Sequence, residues 1–169
     1  ETQMDLVRIG ILQYGLWPSP EVLVTYLNSK KKKEDPLQRV ISWKSEIMNV
    51  KRVKSSEFIG YGTSYMAKKN MKIATIPLGY SHGYSRSLSN QGRVLIAGHR
   101  CSVIGTINMN MLSIDVSEIE HIKKGDEVIL IGNQGDLSIT VSSFGELNNL
   151  LNYEFLSRIS KSIPRKIID

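Results

Sequence analysis

The sequence predicts a mainly β chain: an antiparallel barrel or sandwich with one or two helices, preceded by a fragment of a parallel β-unit. Three observations lead there. LVRIGIL, residues 6–12, is apolar apart from one arginine and one glycine, the pattern of a strand buried on both faces of a parallel sheet. From Arg39 onward, short apolar runs recur about every ten residues, each ended by turn chemistry. Between the two lies a polar stretch opened by YGLWPSP, dense in Gly, Pro and Ser, which reads as a linker over residues 17–36.

Within the β part, Ile41, Trp43, Ile47 and Val53 fall on odd positions among polar residues, as in one long, imperfectly alternating strand. FIGYG, KIATIPLG, RVLIAG, CSVIGTI, MLSIDV and EVILIG follow as further strands. The turns NQGR and GNQGD supply Asn and Gly, which accept a positive φ at low cost. TVSSFGELNNLL opens a helix, with Ser143 and Glu146 in a capping-box relation. NYEFLSRI reads as a second short helix, and SIPRKII as a last strand that Pro164 restricts to an edge or to its first residues.

Composition narrows the function classes. The 169 residues are 41% apolar and 22% charged, enough to bury a core without disulfide staples. The single cysteine, Cys101, rules out a disulfide framework and fits a reducing compartment, the cytoplasm. No window approaches the roughly 18 apolar residues of a membrane span. The start ETQMDLVRIG lacks the features of a signal peptide and also an initiator methionine, so the chain reads as a piece of a longer protein. The net charge of +6 favours anionic partners, but Lys30 to Lys33 run straight into Glu34 and Asp35 and read as solvated. His82, His99 and His121 are scattered, so no metal site is expected. There is no P-loop, G-x-G-x-x-G or G-x-S-x-G.

Six segments stand in a fixed order: VRIGILQYGLWPSP, GYGTSY, IATIPLGYSHGYSR, VIGTINMNMLSIDV, KKGDEVILIG and LNYEFLSRISKSIPR. Together they closely resemble the C-terminal portion of alanine racemase, a fold-type III pyridoxal-phosphate enzyme, from about Leu6 to Arg165. The resemblance implies a closed or nearly closed antiparallel, Greek-key, barrel-like β-domain over residues 37–169. Residues 1–16 would be a remnant of the cofactor-binding (β/α)8 barrel, with residues 17–36 as the linker. It implies a head-to-tail homodimer with shared active sites, and interconversion of L- and D-alanine through a cofactor imine by a lysine and a tyrosine. The D-alanine would supply cell-wall peptidoglycan. The imine-forming lysine belongs to the early barrel, so the isolated chain is expected to be inactive and to lack the cofactor.

Carried over residue by residue, the resemblance makes Tyr61 the catalytic tyrosine and sets Arg8 against the pyridine nitrogen of the cofactor. Gly10 and Ile11 would bind the cofactor phosphate through backbone N–H groups, and Tyr153 would reach the same phosphate. The Met109 backbone N–H would hold the substrate carboxylate, and Tyr80 would gate the entrance. Tyr14, Tyr65 and Tyr84 read as ordinary amphipathic strand residues.

The chemistry suits these residue types. Racemisation removes an α-proton from one face and returns one to the other, so two proton carriers are needed. A tyrosine hydroxyl, with an ordinary pKa of about 10, needs nearby positive charge to act as a base; Arg8 of the other subunit is the candidate. An arginine on the pyridine nitrogen only donates and disfavours its protonation; the resemblance implies a weaker electron sink and fewer side reactions.

The chain departs from the family pattern at Asn108 and Asn110, where C-M-D is usual, and at Ser81 to Gly83, where Ala-Asp-Gly is frequent. These changes bear on substrate preference. A racemase of the same fold acting on serine or another small amino acid is the nearest alternative; the bulk of Tyr153 suits a methyl group better. A non-catalytic dimerisation module is a further alternative, against which Arg8-Ile9-Gly10 argues. A basic barrel binding single-stranded nucleic acid would need aromatics alternating with Lys or Arg along one strand face, and few do.

Overall fold

The computed structural model describes residues 5–148 and 152–168. The chain divides into two compact units, Glu1–Ile41 and Ser42–Asp169.

The first unit holds no strand among its described residues. Leu6, Val7 and Ile9 are exposed, and a 3-10 turn, Gly10–Tyr14, replaces the expected strand over residues 6–12. A strand buried on both faces depends on neighbours that bond to it; no ladder includes these residues, and Gly10 at φ +62 breaks the extended run. Gly15 closes the turn at φ +73, where a Cβ would fall 1.9 Å from the Gln38 carbonyl oxygen. The expected linker contains helix α1, Pro20–Asn28, started by Ser19, with Pro20 at its first position and Glu21 in its first turn. Trp17 stacks on Tyr26 of α1 at 5.1 Å between ring centres and donates its indole N–H to Asp35 at 2.9 Å. Lys30 to Lys33 are exposed, as expected of a solvated run.

The second unit is the antiparallel β-domain. Its strands are β1 Trp43–Glu46, β2 Asn49–Val53, β3 Phe58–Ile59, β4 Tyr65–Met66 and β5 Met71–Ile76. β6 Arg93–Ile96, β7 His99–Ile104, β8 Leu112–Asp115, β9 Glu127–Gln134 and β10 Leu137–Ile139 follow, then helices α2 Val141–Asn148 and α3 Asn152–Arg158. Eight strands form one sheet in the order β1-β9-β6-β7-β8-β5-β2, with β10 also on β9; β3 and β4 form a separate hairpin. The expected long strand is divided at Ile47–Met48. The Ile47 N–H bonds the Asp126 carbonyl beside β9, whereas the Met48 N–H bonds the Thr75 carbonyl of β5. The two ends of the sheet order are thus consecutive halves of one bent segment.

Side-chain periodicity explains the burial. β8 alternates buried and half-buried residues, whereas β9 buries Val128, Ile129, Leu130 and Ile131 in succession and so is covered on both faces. Trp43, Tyr84, Phe144 and Phe155 form an aromatic cluster that fixes both helices, with Phe144 and Phe155 centred 4.5 Å apart. Tyr65 is a strand residue as expected; Tyr14 ends the 3-10 turn, and Tyr84 is a buried residue of a loop instead of a strand. Helix α2 begins one turn earlier than its expected cap: Thr140, not Ser143, is the capping side chain, accepting the Ser143 N–H at 3.3 Å. The side chain of Glu146, the other half of the expected box, and most of the following leucine-rich stretch lie outside the described residues. No final strand forms from SIPRKII: Pro164 has no N–H for a ladder, and Ile167 and Ile168 are exposed.

Candidate active site

Tyr61 sits at the tip of a short hairpin. β3 and β4 pair over two rungs, Phe58 with Met66 and Ile59 with Tyr65. The hairpin base is anchored where Ile59 and Ala67 pack with Val53, Met71, Ile73 and Ile104. The connecting loop passes Gly60, Gly62 and Thr63 at φ +81, +71 and +51, a left-handed path that two glycines make tolerable. Tyr61 is 73% exposed, and among the described residues its hydroxyl has no hydrogen-bond partner.

A second loop runs beneath the first. A Cβ on Gly105 would fall 2.8 Å from the Ile59 carbonyl oxygen, and one on Gly60 would fall 3.2 Å from the Thr106 nitrogen, so the two glycines permit back-to-back contact. Thr106 gives both its N–H and its hydroxyl proton to Ser64 Oγ, each at 2.7 Å. Asn90, left-handed at φ +62, accepts the Gly105 N–H at 2.6 Å and donates to the Ser64 carbonyl at 3.3 Å.

The same loop reaches Met109, where the third loop is stitched on. Tyr80 and Ser81 donate backbone N–H groups to the carbonyls of Asn108 and Met109 at 3.1 and 3.0 Å. The Ser81 hydroxyl bonds the Met109 carbonyl and Asn110 Oδ1 at 2.8 and 2.7 Å. Gly79 is required beneath this seam, since a Cβ would meet the Asn108 carbonyl oxygen at 2.1 Å. Met109 is 54% and Tyr80 41% exposed, and the Met109 N–H donates to nothing among the described residues. His82 Nδ1 accepts the Gly79 N–H at 3.2 Å, so the neutral ring carries its proton on Nε2.

Three of the residues singled out in the sequence are therefore brought together by three bonded loops: Tyr61, Tyr80 and Met109. Tyr153 stands apart on α3, 49% exposed. The far end of that helix is tied to the Tyr80 loop, where the Ser160 N–H bonds the His82 carbonyl. In the first unit, Arg8 is exposed. Ile9 is right-handed helical and Gly10 left-handed, and this pairing turns successive N–H groups toward one point. Among the described residues, the N–H groups of Ile9, Gly10 and Ile11 donate to nothing. No Cβ built on Gly10 meets an atom within 4 Å, so this concavity is open.

The family model of the alanine racemase C-terminal domain matches residues 40–167. The chain belongs to that family. An alanine racemase of Leptospira interrogans is 39% identical over 165 residues, 98% of this chain and 42% of that protein. Among solved structures, alanine racemase from E. faecalis superimposes with a TM-score of 0.80 at 31% identity, covering 93% of this chain and 39% of that one. Alanine racemase from Bartonella henselae, solved with covalently bound pyridoxal phosphate, gives 0.75 at 26% identity over 90% of this chain and 38% of its own. The chain thus spans about two fifths of the length of the alanine racemases it matches.

Sequence reading missed the residues that join the loops of this racemase domain, Ser64, Asn90 and Thr106, and met Ser81 only as a departure from the family pattern. Only Asn90 carried a signal, as the start of the NQGR turn that tolerates positive φ. The others act through bonds spanning up to 42 positions, which leave no local pattern.

Proposed function

We propose that this chain is the C-terminal part of a pyridoxal-phosphate-dependent alanine racemase, an isomerase working in the cytoplasm as a homodimer. Residues 1–16 belong to the cofactor barrel, residues 17–36 link it onward, and residues 37–169 are the β-domain that completes the partner's site. The observation that carries the reading is the exposed, unpartnered phenol of Tyr61, on a loop bonded to the one that presents the free Met109 N–H. Phe58, Met66, Met109 and Met111 are exposed on or beside these loops. Apolar surface grouped in this way suits cover by another protomer.

The residues of the chain fit the cofactor. The open concavity at Ile9 to Ile11 presents three N–H groups of the kind that hold a phosphate, and glycine allows the close approach. Tyr153 would donate to the same phosphate, and Arg8 to the ring nitrogen. When bound, the cofactor supplies the electron sink for the α-carbon. The Met109 N–H holds the substrate carboxylate and fixes which face of the α-carbon each proton carrier meets. Tyr61 then takes or gives the proton on one face, and a lysine from the preceding barrel serves the other. Tyr80, backed by Asn108 and Ser81, narrows the entrance and limits water. The product, D-alanine, would go to peptidoglycan.

Tyr61→Phe in the full-length protein tests the assignment. Turnover is expected to fall at least about 100-fold, the usual scale for losing a proton carrier, while the cofactor absorbance stays. Near-normal turnover would remove Tyr61 from the reaction.

A further inference from the structure

We propose that Ser64, Asn90 and Thr106 form a tether that sets the direction of the Tyr61 phenol, making Ser64 and Asn90 positioning residues for its proton transfer. The inference rests on the role proposed for Tyr61.

The hairpin alone does not fix that side chain. It has two rungs, a loop with three residues at positive φ, and a phenol with no partner of its own among the described residues. What holds the loop is its far end. Ser64 Oγ has two acceptor lone pairs, and Thr106 fills both, one from its backbone and one from its hydroxyl, at 2.7 Å. The Ser64 carbonyl is taken by Asn90 Nδ2, and the other end of that carboxamide takes the Gly105 N–H. At the near end, Gly60 rests directly on Gly105 and Thr106. Both ends of the loop are therefore pinned to the same two residues. From Thr106 the chain runs three residues on to Met109, the proposed carboxylate holder. The tether thus ties the proton carrier to the carboxylate anchor within one rigid seam, and small misplacements at such a seam cost much of the rate. None of the three side chains titrates, so the geometry is independent of pH.

The test is Ser64→Ala in the full-length holoenzyme labelled with 3-fluorotyrosine, with Asn90→Gly as the second variant, since glycine keeps the left-handed backbone and deletes the carboxamide. We expect kcat to fall on the order of tenfold or more with KM for alanine little changed. The Tyr61 fluorine signal should shift or broaden while that of Tyr84 stays. The α-deuterium isotope effect should rise only in the direction in which Tyr61 removes the proton, and Ser64→Thr should restore all three readouts. A general loss of structure would affect both directions and both tyrosines. If the Tyr61 signal and kcat survive both variants, the tether is wrong even where Tyr61→Phe abolishes turnover. If instead Tyr61→Phe is active, the functional reading fails and the fluorine signal alone decides the tether.

Discussion

Tyr61 and Tyr84 carry the same phenol into opposite surroundings. Tyr61 faces solvent, whereas Tyr84 is fully buried and, among the described residues, its hydroxyl has no hydrogen-bond partner. Burial pushes the Tyr84 phenol well above the usual range, against the opposing charge of Arg93. An unpartnered buried hydroxyl carries a desolvation penalty of about 1–3 kcal/mol. Tyr84→Phe should therefore stabilise the domain by about 1 kcal/mol at neutral pH in urea unfolding; a loss of that size would reveal a partner for the hydroxyl. The variant should also flatten the alkaline limb. Below about pH 10 both folded and unfolded chains keep this proton; above it only the unfolded chain releases it, so stability falls as pH rises. The contrast between the two phenols was not legible from residue type or strand pattern. Tyr61 emerged through the family motif, while the partners that orient its loop were hidden because hydrogen bonds between Ser64 and Thr106 leave no trace in hydrophobic periodicity.

At the scale of elements, short apolar runs ended by turn residues located every strand proposed between FIGYG and EVILIG. Alternation failed where packing partners change. After Ile47 the segment changes its bonding partner from β9 to β5, and one predicted strand becomes two. Helix α1 lies in the stretch read as a linker, a reading that overlooks the start signal Ser19-Pro20-Glu21. LVRIGIL and SIPRKII look strand-like by composition, yet no ladder includes them. Helix α3, which carries Tyr153, depends on the aromatic cluster. Phe155 is buried against Trp43 and Phe144, so Phe155→Ala should cost about 3–5 kcal/mol. In the full-length protein it should also weaken cofactor retention by loosening Tyr153. Thermal unfolding and a cofactor titration check the two halves; unchanged cofactor affinity in a folded variant would separate Tyr153 from the phosphate.

For the whole molecule, the domain works as a rigid support for three bonded loops. The sheet begins and ends on one bent segment, and the loops bearing Tyr61, Tyr80 and Met109 project from it with apolar side chains exposed. In the function proposed above, these loops complete a site whose cofactor is held by the partner protomer. Co-expression of two full-length variants, Tyr61→Phe and Arg8→Ala, isolates this central point, because each alone damages every site. In a mixed dimer with shared sites, one site receives an intact Arg8 from one protomer and an intact Tyr61 from the other. Activity should then return to about one quarter of the wild-type level, from half the dimers with one good site each. Racemisation no higher than that of either variant alone would mean that Tyr61 serves its own protomer, and the shared site would be refuted.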